Sequence, residues 1–220
     1  MRAAIFDMDG TLLDSMGMWT TLDSQFLRSH GIEPPEDLTD TVIKMTLDEA
    51  CAYYAENFPL HMTAEEICAE VMEFIGHQYR ETLLLKAGAA DFLRRLKEQG
   101  IPFCVVTATG KELAEAALSR CGILPMLEFL ITPDDGLPGK QQPDVYLEAA
   151  RRLGASPQET AVFEDALHAA ETVKRAGFYT VGFYDNASRG DWDALEAICD
   201  KMAGSWFSLT TPEFMRKFRA

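Results

Sequence analysis

The chain reads as an α/β protein: a doubly wound parallel sheet, interrupted early by an all-helical insert. Three observations carry that reading. The short apolar run Ala3-Ala4-Ile5-Phe6 ends abruptly in polar residues, as a buried parallel strand does. From Met16 to Leu83 only helical periodicity is found. Beyond Leu84, apolar runs of strand length alternate with helical patterns, which implies parallel strands joined by crossover helices. The expected division is therefore 1–15 with 84–220 for the sheet domain, and 16–83 for the insert.

Within the insert, Trp19, Leu22, Phe26 and Leu27 recur at helical spacing until Gly31 and Pro34-Pro35 stop the pattern. A second helix is expected on Leu38, Val42 and Ile43. A third runs from Leu47 through Ala50, Cys51, Tyr54 and Phe58 to Pro59. The fourth opens on Thr63-Ala64-Glu65-Glu66, a capping-box arrangement, and carries Ile67, Val71, Phe74, Ile75 and Tyr79. Leu84 to Gly88 predicts a returning strand, and Ala89 to Gln99 a helix closed by Gly100. Strands are expected at 101–106, 127–131, 161–163 and 179–183, with helices between them and a long polar loop from Thr132 to Gln142. A helix over 193–203, a Trp206-Phe207 strand and a helix near Phe214 complete the pattern.

Composition excludes several function classes. A hydrophobic content of 47% belongs to a folded globular chain, and a formal net charge of −15 gives nothing to offset nucleic-acid phosphates. An anionic substrate would need a local cation. Cys51, Cys68, Cys104, Cys121 and Cys199 are odd in number and lack metal-ligand spacing. They read as small apolar residues of a reducing compartment, without a disulfide framework. No signal sequence is read ahead of the first strand, and no apolar run is long enough for a membrane span. A cytoplasmic protein, monomeric or weakly homo-oligomeric, is expected.

The chemistry concentrates at Asp7-Met8-Asp9-Gly10-Thr11. Asp7 falls at the carboxyl end of the first strand, where open α/β sheets bind ligands. If extension persists, Asp7 and Asp9 project to one side, because strand side chains repeat every second residue. Carboxylates held that close repel unless a cation separates them or one is protonated. An EF-hand loop does not fit, since its glycine belongs at the sixth position and its closing glutamate is missing.

This stretch, continued through Leu12-Leu13-Asp14-Ser15, resembles the first motif of the haloacid dehalogenase-like phosphohydrolases, most nearly the subgroup of β-phosphoglucomutase and sugar-phosphate phosphatases. The resemblance implies a Rossmann-like core with a helical cap. The dehalogenases of that family lack the second aspartate, so Asp9 points to phosphoryl transfer. Further motifs follow in the family's order: Thr107 after Val105-Val106, Gly139-Lys140-Gln141-Gln142-Pro143-Asp144, and Glu164-Asp165 after Ala161-Val162-Phe163. Gln141 replaces the usual first proline of the lysine motif, and Ala166 and Ala169 replace a serine and a glycine after the acidic pair.

By that resemblance Asp7 is the nucleophile and Asp9 the general acid and base. Lys140 and Thr107 stabilise the transferred group, with Gly10 and Ala108 beside it. Asp7, Asp9 (through its backbone carbonyl), Glu164 and Asp165 hold Mg2+. Thr109 and Lys111 are further candidates for substrate contact, whereas His168 reads as a loop or helix side chain. The implied activity is a magnesium-dependent phosphatase of a small phosphorylated metabolite, with a sugar-phosphate mutase as the alternative. A signalling receiver domain shares the acidic cluster, threonine and lysine, but is about half this length and phosphorylates an aspartate after a middle strand. Three basic residues (Arg28, Lys44, Arg80) against thirteen acidic ones between Met16 and Leu83 disfavour a second phosphate, so water is the expected acceptor.

Overall fold

The computed structural model describes residues 1–42 and 45–219, except the Asp40 side chain. The expected helical position Ile43 and the cation Lys44 therefore lie outside the described residues. The chain divides into two compact units, Met1–Met16 with Leu83–Ala220, and Gly17–Thr82.

The first strand, β1 (Ala3–Phe6), is buried at all four positions. The helical segment that follows contains α1 (Met16–Ser29), α2 (Leu38–Val42), α3 (Leu47–Asn57) and α4 (Ala64–His77), closed by a π-helical turn at Gln78–Thr82. Capping boxes start α3 and α4. The Thr46 and Thr63 hydroxyls accept the N–H groups of Glu49 and Glu66, whose carboxylates accept the threonine N–H groups at 2.7 and 2.8 Å. Phe26, Tyr54, Ile67 and Val71 are among the buried residues of this unit.

One expectation fails here. Cys51 and Cys68 form a disulfide between α3 and α4, with Cα atoms 5.6 Å apart. Spacing along the chain did not reveal it, because seventeen residues separate the two sulfurs and only helix packing brings them together. Cys104, Cys121 and Cys199 are free thiols, of which only Cys104 is fully buried.

The sheet unit continues with α5 (Ala89–Glu98), β2 (Phe103–Val106), α6 (Lys111–Arg120), β3 (Leu130–Ile131) and α7 (Asp144–Arg152). It then adds β4 (Thr160–Glu164), α8 (Leu167–Arg175), β5 (Tyr179–Phe183) and α9 (Trp192–Ile198). The last elements are β6 (Lys201–Ala203), α10 (Trp206–Leu209) and α11 (Pro212–Met215). All strand pairs are parallel, in the order β3-β2-β1-β4-β5-β6. The doubly wound parallel sheet expected from sequence is thus present. β1 lies where the winding reverses, so the connections that leave it and its neighbour part to opposite faces and leave a crevice at its carboxyl end. Ala4 stands opposite Phe103 on one side and Ala161 on the other.

Four elements differ from expectation. The 127–131 strand shrinks to Leu130–Ile131, because Leu124–Met126, containing Pro125, forms a tight turn just before it. The returning strand at 84–88 is a single bridge between Leu85 and Leu13. The helix expected over 193–203 ends at Ile198, and Lys201–Ala203 is instead an edge strand. Trp206-Phe207 is helical, with Trp206 turned into the core and Phe207 exposed.

Candidate active site

Phe6 ends β1 inside an aromatic layer, stacked on Phe163 of β4 with ring centroids 4.6 Å apart. The residues after these two rings are Asp7 and Glu164, so packing beneath the sheet end sets where the acids emerge. Asp7 donates its backbone N–H to the Phe163 carbonyl at 2.9 Å, extending the β1–β4 ladder by one bond. Asp7 is 6% exposed, and its carboxylate receives a hydrogen bond from the Lys140 ammonium. Lys140 also donates to Glu164 Oε1 at 2.8 Å, and the Tyr146 hydroxyl donates to the same oxygen at 2.7 Å.

Carboxylate oxygens of Asp7, Glu164 and Asp165 lie within 4.8 Å of one another. All three residues are buried. Asp7 Oδ2 is buried and has no hydrogen-bond partner among the described residues. Burial pushes the Asp7 carboxyl well above its ordinary value; Lys140 opposes this, while Glu164, Asp165 and Asp9 add to it. Burial, then Glu164, pushes Asp165 up to about 7. Burial alone would lower the Lys140 ammonium, but Asp7 and Glu164 reverse the direction and hold it charged. Three hard oxygen donors, one of them orphaned, beside the Lys140 ammonium form a set that suits Mg2+.

The turn after β1 is shaped around this cluster. Gly10 has φ +81, and a Cβ there would sit 2.2 Å from Asp165 Oδ2, so any side chain would collide with the acid. The Thr11 hydroxyl donates to Asp165 Oδ1 at 3.3 Å. Asp9 stands apart from the three buried acids, its Oδ2 receiving the Thr109 hydroxyl at 2.7 Å. Thr107 follows β2, and its hydroxyl accepts the Thr109 N–H at 3.0 Å. Thr107, Ala108, Gly139 and Lys140 line one cavity of about 160 Å³. Asp134 accepts the Lys111 N–H at 2.8 Å, tying the loop before Lys140 to the start of α6.

The fold therefore gathers Asp7, Lys140, Glu164 and Asp165 directly, and sets Thr107 and Ala108 beside Lys140. Three contributions escaped the sequence reading: the bond from Thr11 to Asp165, Tyr146, and the attachment of Thr109 to Asp9. Tyr146 carried a usable signal, since a tyrosine on the buried face of a helix needs a partner for its hydroxyl.

Comparison with known proteins agrees with this geometry. The model of the haloacid dehalogenase-like hydrolases matches residues 1–177. A validoxylamine A 7'-phosphate phosphatase of Streptomyces hygroscopicus subsp. limoneus is 33% identical over 181 residues, covering 82% of this chain and 84% of that protein. Hexitol phosphatase A of Escherichia coli K12 is 34% identical over 167 residues, 75% of this chain and 74% of that one. A Thermotoga maritima crystal structure, provisionally described as a β-phosphoglucomutase, superposes with TM-score 0.79 at 25% identity, covering 92% and 94% of the two chains. With the motif acids converging at one sheet end, and the family model spanning most of its length, the chain belongs to the haloacid dehalogenase-like hydrolases, as a phosphoric monoester hydrolase.

Proposed function

We propose that the protein is a magnesium-dependent phosphatase of a small phosphorylated metabolite, a sugar phosphate or related monoester, acting through an aspartyl phosphate on Asp7. The observation that carries this reading is the buried Lys140 ammonium bonded to both Asp7 and Glu164, with Asp165 alongside. The relatives' substrates support the substrate class: phosphatases named for validoxylamine A 7'-phosphate, hexitol phosphate and phosphorylated carbohydrates.

In this reading Asp7 attacks phosphorus in line while Asp9 protonates the departing oxygen. Asp9 then takes a proton from the water that cleaves the acyl phosphate. Thr109 keeps the Asp9 carboxylate oriented between the two half-reactions. Lys140, Thr107 and the backbone at Gly10 and Ala108 face the equatorial oxygens, where most of the stabilisation in phosphoryl transfer is needed. Asp7, Glu164, Asp165 and the Asp9 carbonyl would hold Mg2+, which supplies Lewis-acid neutralisation of the phosphoryl charge. The 17–82 unit serves as the cap that selects the leaving group. No helix among the described residues is long and apolar enough to cross a membrane. We place the enzyme in the cytoplasm as a monomer or weak homo-oligomer; the three free thiols support that compartment and the Cys51–Cys68 disulfide opposes it.

The test offers β-glucose 1-phosphate with a trace of the bisphosphate, alongside a panel of sugar, nucleoside and polyol phosphates, and follows free phosphate and glucose 6-phosphate. Phosphate release is expected on the panel. Efficient formation of the 6-phosphate with little free phosphate would replace this reading with a mutase, to which the β-phosphoglucomutase-like fold is equally suited.

Magnesium should also appear in the pH dependence of stability. An acid whose pKa is raised on folding holds extra protons when native, so stability falls as pH rises from its ordinary value to the raised one. For Asp165 that interval runs from its ordinary value near 3.8 up to about 7. The metal-free protein should therefore lose stability across it, and added Mg2+, competing with protons for the same oxygens, should restore more at the upper end. Melting curves with and without Mg2+ at about pH 5 and pH 8 check this. An equal Mg2+ shift at both pH values would contradict the assignment of the cluster.

A further inference from the structure

The indole of Trp206 makes a contact that no motif anticipates. Its Nε1–H donates to the Thr11 carbonyl at 3.1 Å, inside the protein. Trp206 is fully buried, with its ring centroid 4.4 Å from Phe183, 5.4 Å from Phe163 and 5.7 Å from Phe6. Phe6 and Phe163 immediately precede Asp7 and Glu164, so one side chain underlies the ends of both acid-bearing strands. From Thr11 the connection continues, because the Thr11 hydroxyl donates to Asp165 at 3.3 Å and Gly10 lies against the same carboxylate. The segment is also fastened to the opposite end of β1, where the Arg219 N–H donates to the Met1 carbonyl at 2.9 Å. Trp206 and Arg219 themselves lie beyond residue 177, where the match to the family model stops.

We propose that Trp206 is a positioning residue for the carboxylate cluster: by holding the Thr11 carbonyl it fixes Asp165 relative to Asp7, and so sets the affinity for a divalent cation. This rests on the reading of Asp7, Glu164 and Asp165 as the Mg2+ site. A tryptophan that merely fills the core would stabilise the fold without touching metal affinity, and the two roles separate in Trp206→Phe. That variant keeps most of the ring packing and removes the N–H, leaving a buried carbonyl without its donor. Partners one bond behind a ligand govern about ten- to a hundredfold in metal affinity; Trp206 acts one step further back, through Thr11, so the low end, roughly a tenfold rise in Kd, is expected here.

The measurement is calorimetric titration of the metal-free protein with MgCl2, for wild type and Trp206→Phe. In parallel, turnover should need more Mg2+ for half-saturation while kcat at saturating Mg2+ and the substrate KM stay near wild type. Should the variant not fold, the wild type decides through its indole 15N–H signals. The chain has three tryptophans, and Trp19→Phe and Trp192→Phe assign the third by elimination. Mg2+ should move the Trp206 signal with the calorimetric Kd. A wild type that takes up no Mg2+ overturns the metal reading and this inference together. A wild type that binds Mg2+, with either an unchanged Kd in the variant or an unmoved Trp206 signal, overturns this inference alone.

Discussion

Replacing Asp7 by Asn is expected to reduce phosphate release by on the order of a million-fold, the scale that loss of a hydrolase nucleophile costs. The amide is a poor nucleophile, and it removes the anion facing Lys140. The fold should survive. Lys140 keeps Glu164 at 2.8 Å, and losing the Asp7 charge removes its repulsion with Glu164 and Asp165. Phosphate release measured beside a melting curve separates lost chemistry from lost structure. A folded Asp7→Asn protein turning over at the wild-type rate would falsify the nucleophile assignment.

Asp9→Asn should be the second most damaging change, by roughly a hundred- to ten-thousand-fold in kcat, the usual worth of a positioned acid–base group. Its effect on Mg2+ should be small. The Asp9 side chain is not among the three clustered acids, and the Asn side chain can still accept the Thr109 hydroxyl that Asp9 accepts at 2.7 Å. The check is kcat together with Mg2+ affinity on the same preparation. If affinity fell in parallel with rate, the Asp9 carboxylate would have to be a ligand.

The sheet and the acids were legible in the sequence because each depends on local order. Ala3–Phe6 is a short apolar run between polar residues, Tyr179–Phe183 a run of strand length after Gly177, and both strands match expectation closely. Asp7, Glu164 and Lys140 were singled out because a motif series resembling a known family names them in order, and the fold brings them together. What escaped depends on contacts between distant segments. β6 opens on an exposed lysine and gains its identity only by pairing with β5. Trp206-Phe207 has strand-like composition, but the buried indole is held by a carbonyl 195 residues away, and the segment turns helical to reach it. The disulfide is hidden for the same reason: Cys51 and Cys68 meet only after α3 and α4 pack.

The central place of β1 has a consequence in the time domain. Its two neighbours hold residues far downstream, since Ala4 pairs with Phe103 and with Ala161. At ordinary translation rates Ala161 leaves the ribosome on the order of ten seconds after Ala4. Through that interval β1 has at first no partner on either edge and then only β2, and for most of it the Lys140 counter-charge to Asp7 has not been made. Pairings of such sequence separation close slowly, because loop entropy must be overcome before the contacts reward it. Asp7, the proposed nucleophile, is thus synthesised early and secured late, and the four-residue apolar strand before it is a stretch of the nascent chain in need of shelter from other chains.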